Sequence, residues 1–258
     1  MTPRPRLRYD HPMQHGGVLH GVQSLLYLIV IAIFIVGFSV QPYRIPSGSM
    51  EPTLMIGDFL LVDKQIVPTG GSHDPLPLTT VRHGDIVVFH YPVQPEVLLV
   101  KRVIGLPGDR IRLRDGRVYR NGLPQEEPYA VHTGGTQDSF RDNFPRLQSA
   151  EPGIESRWWI EMRHRIDNGD LVVPPGEFFV LGDNRNNSED SRYWGFVPPS
   201  AIVGKPFLVY LSLAGPERDD PPAQAQLRSP VYASRYREGL LQRIVGLAHW
   251  DRTLRVIR

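Results

Sequence analysis

The chain has 258 residues, a formal net charge of +2 and no cysteine. That length suits one ordinary domain or one large domain with an insertion. The missing cysteines exclude disulfides, a thiol nucleophile and thiolate-bound zinc or iron–sulfur centres, and the small charge, with no zinc spacing and no basic heptad helix, points to no nucleic-acid partner.

Residues 1–21 are polar and carry Arg4, Arg6 and Arg8. Val22 to Val40 then run without a charge, VQSLLYLIVIAIFIVGFSV. At helical rise this run spans about 30 Å, the thickness of a bilayer core, and predicts one transmembrane helix over residues 22–40. A core helix of this length would show a polar face, which this run lacks. A cleaved leader is the closer rival because the N-terminus is basic, but its apolar part would be unusually long. The arginines before the run, and Arg44 offset by Glu51 and Asp58 after it, predict residues 1–21 in the cytoplasm and 41–258 outside.

After the anchor the pattern is strand-like. DFLLVDKQIV, DIVVFHYPV and VLLVKRVIGL are short runs rich in β-branched residues, and DRIRLRDGRVYRNG alternates around the turn signals Asp115-Gly116 and Asn121-Gly122. Residues from about 123 to 169 are polar, weakly periodic and punctuated by Pro and Gly; the expectation is an inserted, partly irregular subdomain over about 113–169. EFFVLGD and IVGKPFLVYLSL return to strand character, so the β domain is assembled from both sides of the insertion. Residues 215–230 read as a loop, and GLLQRIVGLAHWDRTLRVIR as a last strand or an amphipathic segment on the membrane surface.

Two stretches and one lysine carry candidate chemistry. Pro46-Ser47-Gly48-Ser49-Met50-Glu51-Pro52-Thr53-Leu54 is bracketed by prolines and flanked by apolar Ile45, Met50 and Leu54. On composition alone Ser-Gly-Ser is a common turn, and a serine hydroxyl is a poor nucleophile without a base. None of the nine histidines stands in a recognisable triad context. A neutral lysine is the alternative base, and the chain offers only Lys64, Lys101 and Lys205. Lys101 lies in an apolar strand, where burial would lower its pKa, whereas Lys64 follows Asp63 and Lys205 sits between Gly204 and Pro206. The stretch from Gly182 to Gly195, GDNRNNSEDSRYWG, is a polar loop dense in short hydrogen-bonding side chains, of the kind that orients a catalytic group.

Taken in order, PSGSMEPTL, GDFLLVDK, GDIVVFHYP with VKRVIGLPGD, and GDNRNNSEDSRYWG resemble the motifs of bacterial signal peptidase I, the leader peptidase. The resemblance covers residues 22–112 and about 170–212. It implies a mainly β, signal-peptidase/LexA-like catalytic domain with an inserted subdomain, preceded by one transmembrane helix. It also implies a serine endopeptidase of the bacterial inner membrane that removes signal peptides from secreted preproteins, with no metal or cofactor.

By the same resemblance Ser49 is the nucleophile and Lys101 the general base, with the Ser47 hydroxyl and Ser49 backbone N–H as oxyanion donors. Ser188 would hydrogen-bond the Lys101 nitrogen, while Asp190 with Arg192 and Asp183 with Arg102 would brace the site. Tyr43, Ile45, Met50, Leu54, Leu60, Val88, Leu99 and Val100 match positions lining narrow subsites, which implies small residues at positions −1 and −3 of the cleavage site. Two departures are visible: the disulfide of some members is impossible, and there is one span where many Gram-negative members have two. The alternatives are a related Ser–Lys maturation peptidase with a dedicated substrate, and a non-catalytic anchored β domain that binds exported chains.

Overall fold

A computed structural model describes residues 18–64, 80–133, 138–147, 153–213 and 249–257. The expected cytoplasmic segment up to residue 17, the 215–230 loop and GLLQRIVGLA therefore lie outside the described residues. The chain divides into two compact units, Met1–Ser39 and Val40–Arg258.

The first unit holds helix α1, Val18–Ser39, with no acidic residue in its first turn and no basic residue in its last. Among its side chains Leu25, Leu28, Ile33 and Phe34 are each more than half exposed. Among the described residues no helix is long and apolar enough to cross a membrane.

The second unit is built on two antiparallel sheets. Strand β1, Val40–Arg44, pairs with β2, Asp58–Asp63, from Val40↔Asp63 to Arg44↔Phe59. Strands β3, Ile86–His90, and β4, Leu98–Gly105, pair with Lys101 opposite Val87. From Val100 onward every β4 residue is buried, which is why VLLVKRVIGL shows no apolar–polar alternation. Strands β5, Arg110–Arg114, and β6, Arg117–Arg120, do alternate: Ile111, Leu113 and Val118 point inward, and the arginines of β5 are partly or fully exposed. Asp115 and Gly116 both take positive φ (48° and 77°), the turn whose twist matches a two-residue hairpin. Asn121-Gly122 repeats that geometry before β7, Leu123–Pro124.

The stretch expected to be irregular carries more order than its periodicity suggests. Helix α2, Ser156–Arg165, buries only Trp158 and Met162, and the Glu155 carboxylate caps it by accepting from the Trp158 N–H at 2.7 Å. An Asn168-Gly169 turn then joins β8, Ile166–Asp167, to β9, Asp170–Val172. Strand β10, Phe179–Leu181, short helix α3, Ser191–Trp194, strand β11, Ile202–Ser212, and β12, Arg255–Val256, complete the unit.

Among the described residues one sheet runs β1-β2-β11-β3-β4-β10, with β12 also on β11, and the other runs β7-β6-β5-β9-β8. An aromatic-rich core (Phe140, Phe144, Trp158, Phe179, Phe196) fills the second sheet and α2. A smaller aliphatic core (Ile45, Met50, Leu54, Leu60, Val62, Ile86, Val88, Val100, Val209) lies in the first sheet. Arg252 ties the C-terminal segment to β2 through Asp58 at 2.6 Å.

Candidate active site

Between β1 and β2 the chain makes a 3₁₀ turn, Gly48–Met50, with Ser49 at its centre. The turn is pinned by buried Ile45, Met50 and Leu54, and by a ladder continued past the strands: Ile45 N–H donates to the Asp58 carbonyl, and Gly57 N–H to the Ile45 carbonyl. Ser49 is only 8% exposed. Ser47, just before the turn, is exposed and its side chain makes no capping hydrogen bond.

Strand β4 brings Lys101 to this turn. Its Nζ donates to Ser49 Oγ at 2.5 Å, and the lysine is 3% exposed. Burial strips water from the ammonium and pushes its pKa down to about 8; nearby Asp190 opposes the shift and Arg192 adds to it. At pH 7 that leaves about one Lys101 in ten neutral, against about one in three thousand for an ordinary lysine. The other two lysines are engaged elsewhere or exposed: Lys205 pairs with Asp85 and donates to the Thr80 carbonyl, and Lys64 is exposed.

The 182–195 stretch braces both groups. Arg102, beside Lys101 in sequence, donates Nε and Nη2 to Asp183 at 2.8 and 2.6 Å, and Thr53 Oγ1 donates to the same carboxylate at 2.5 Å. Asp190 accepts from Arg192 Nε and Nη2, each at 2.8 Å, and from Gly182 N–H at 3.0 Å. Desolvation alone would raise the Asp190 carboxyl; the Arg192 charge and these hydrogen bonds outweigh it and hold the group below its ordinary value.

Ser188 Oγ donates to Asp190 Oδ2 at 2.8 Å, and the Lys101 amine hydrogen-bonds Ser49 Oγ. The carboxylate takes the one hydrogen of the Ser188 hydroxyl and leaves its lone pairs free to accept.

A narrow cleft of about 30 Å³ opens beside the serine and lysine. Of the expected lining residues, Tyr43, Ile45, Met50, Leu99 and Val100 face it with Ser47, Ser49 and Lys101. Leu54, Leu60 and Val88 do not; they are buried in the aliphatic core. Pro46 and Leu98 complete the lining, and the Tyr43 hydroxyl donates to the Leu98 carbonyl at 2.8 Å.

A strap from the insertion also reaches the site. Glu127 takes both Arg185 Nη atoms at 2.7 and 2.8 Å, the Arg102 guanidinium lies 3.9 Å from the Tyr129 ring centroid, and Val131 pairs with Asn184 as a parallel bridge. Asn184 and Arg185 stand inside GDNRNNSEDSRYWG, the polar stretch whose composition points to a site. Glu127, Tyr129 and Val131 carry no signal before the chain folds.

A hydroxyl, a buried amine that loses its proton readily, and an apolar cleft are the parts of a hydrolase site. The model of the family described as signal peptidase, peptidase S26 matches residues 18–211. The signal peptidase I of Pseudomonas aeruginosa is 36% identical over 224 residues, covering 78% of this chain and 75% of that protein. That of Aquifex aeolicus is 33% identical over 219 residues, covering 72% and 82%. A crystal structure of a signal peptidase I from Enterococcus faecalis is 32% identical, covers 49% of this chain and 97% of that one, and has a TM-score of 0.37. The chain belongs to the signal peptidase family and is a serine endopeptidase.

Proposed function

We propose that this enzyme removes N-terminal signal peptides from secreted preproteins with Ser49 as nucleophile and Lys101 as general base. The observation that carries the reading is the buried Lys101–Ser49 hydrogen bond at 2.5 Å. Neutral Lys101 accepts the Ser49 proton as Oγ attacks the scissile carbonyl. The Ser49 N–H and the exposed Ser47 hydroxyl donate to the resulting oxyanion. The Lys101 ammonium then protonates the departing amine, leaving an acyl-enzyme. Lys101 next takes a proton from water, which attacks the ester, and Ser49 leaves reprotonated.

Arg102 with Asp183, and Arg192 with Asp190, hold β4 and the loop in register around the pair; Ser188 acts through Asp190. The narrow cleft, with Tyr43, Ile45, Met50, Leu99 and Val100 on its walls, suits alanine-sized residues at positions −1 and −3. Leu54, Leu60 and Val88 shape that cleft from behind.

Helix α1 is the proposed membrane anchor. The support is the uncharged run Val22–Val40, which would span about 30 Å as one helix, together with the exposed apolar side chains of α1, which are costly in water. With the arginines ahead of it, this gives a single-pass protein of the bacterial inner membrane, N-terminus cytoplasmic and residues 41–258 extracytoplasmic.

The test is cleavage of a preprotein carrying alanine at positions −1 and −3 by the full chain in detergent. Cleavage at that junction is expected, with Ser49→Ala and Lys101→Ala each lowering kcat by more than about a thousandfold. Near-normal turnover by either variant would remove the Ser–Lys assignment. No cleavage across a panel of secretory preproteins would favour the maturation peptidase with a dedicated substrate.

A further inference from the structure

We infer that Asn184 is a positioning residue that aims the backbone oxyanion donor, and that Thr133 of the inserted segment fixes which way the Asn184 amide faces. The inference rests on the oxyanion role proposed for the Ser49 N–H.

Asn184 grips the nucleophile turn twice. Its backbone N–H donates to the Ser49 carbonyl at 3.1 Å, and its side-chain Nδ2 donates to the Gly48 carbonyl at 3.3 Å. The second contact has the larger consequence. The Gly48 carbonyl and the Ser49 N–H belong to one planar peptide unit, and in a trans peptide they point in opposite directions. Holding the oxygen from one side therefore sets the direction in which the N–H emerges on the other. An oxyanion donor is effective only within a few tenths of an ångström of its target, so tilting that plane weakens the contact.

Asn184 can act this way because its own orientation is determined. It is 3% exposed. Thr133 Oγ1 donates to its Oδ1 at 3.1 Å, which makes that arm the acceptor and turns the NH₂ toward Gly48. On either side of it, Val131 N–H donates to the Asp183 carbonyl at 2.8 Å and Arg185 N–H to the Val131 carbonyl at 2.9 Å. The 131–133 segment of the insertion thus holds Asn184 by backbone and side chain together, which gives the insertion a part in catalysis although none of its described residues lines the cleft.

The test measures kcat and KM separately for full-length enzyme in detergent. Asn184→Asp keeps the size and presents an acceptor to the Gly48 carbonyl; kcat is expected to fall about 10- to 100-fold with KM within about threefold, short of the loss for deleting an oxyanion donor outright. Thr133→Val, nearly isosteric and at an exposed position, is expected to lower kcat about 3- to 10-fold, and Thr133→Ser to restore it.

A peptide aldehyde separates positioning from general damage. The Ser49 oxygen adds to its carbonyl carbon, the hydroxyl proton ends on the former aldehyde oxygen, and that oxygen occupies the hole. Its affinity should fall in parallel with kcat/KM, while affinity for an uncleavable substrate peptide stays unchanged. Wild-type kcat in both Asn184→Asp and Thr133→Val, with Ser49→Ala and Lys101→Ala inactive, would overturn this inference and leave the proposed function standing. Activity in Ser49→Ala or Lys101→Ala would instead overturn the reading on which it rests.

Discussion

An ammonium moved out of water gives up its hydration, and Lys101 is the buried one of the three lysines. That desolvation is the first cause of its lowered pKa; the Asp190 charge works against it, so the amine stays near 8 instead of falling further. The rate of preprotein cleavage should therefore rise with pH on a limb centred near 8. A limb still rising above pH 10 would show that Lys101 keeps an ordinary lysine pKa and that burial does not lower it. Stability follows with the opposite burden. Between about 8 and the ordinary 10.5 the unfolded chain holds the proton that the folded chain has lost, so stability climbs with pH in that window, and the deficit is complete below it. Lys101→Met should accordingly be more stable than the parent at pH 7 by about 3 kcal/mol, a gain largely lost by about pH 10.5. Urea midpoints of the two proteins across that range measure it, and a gain independent of pH would refute the assignment.

At the scale of elements, the site is the meeting of a turn, a strand and a loop, and Gly182 is where the turn and the loop touch. A Cβ there would stand 2.6 Å from the Ser49 carbonyl oxygen and 2.5 Å from Ser188 Cβ. A backbone oxygen cannot step aside as a flexible side chain does, so Gly182→Ala must displace the Ser49 turn or the loop. The expected result is a loss of about 1–3 kcal/mol in stability with kcat down by about a hundredfold or more; unchanged kcat and melting temperature would show that the elements are looser than this packing implies.

How far the elements could be read beforehand depended on what each buries. Asp115-Gly116 announced its hairpin because both residues tolerate positive φ. Asn168-Gly169 carried the same signal, but the strands it joins are two and three residues long and show no alternation to flank it. Helix α2 buries two side chains in ten, too thin a stripe to stand out in its polar surroundings.

For the whole molecule, the apolar surface of α1 needs a cover that water does not supply. If α1 spans a bilayer, the protein should remain in the membrane pellet through alkaline extraction, and a variant lacking residues 18–39 should be released. Added protease should reach the peptidase unit only from the extracytoplasmic side. Release of the full chain by alkali would sink the anchor reading. Within the peptidase unit, Arg252 reaches both Asp58 and the Thr53 carbonyl, so the C-terminal segment supports the segment that follows the Ser49 turn.

The amino-acid order by itself determined the class of this protein: an uncharged run, short β-rich strands, and four motifs in sequence that belong to the signal peptidase family. It also left three lysines as candidates for the proposed base and favoured Lys101 over the others, because an apolar strand is where an ammonium loses its water. Only the tertiary structure decided which polar groups meet. Ser188 turned to Asp190 because a carboxylate lay within its reach, three apolar candidates went behind the cleft instead of onto it, and Asn184 met Gly48 across 136 positions of chain. Such contacts are fixed by packing between distant segments, which leaves no local period to read.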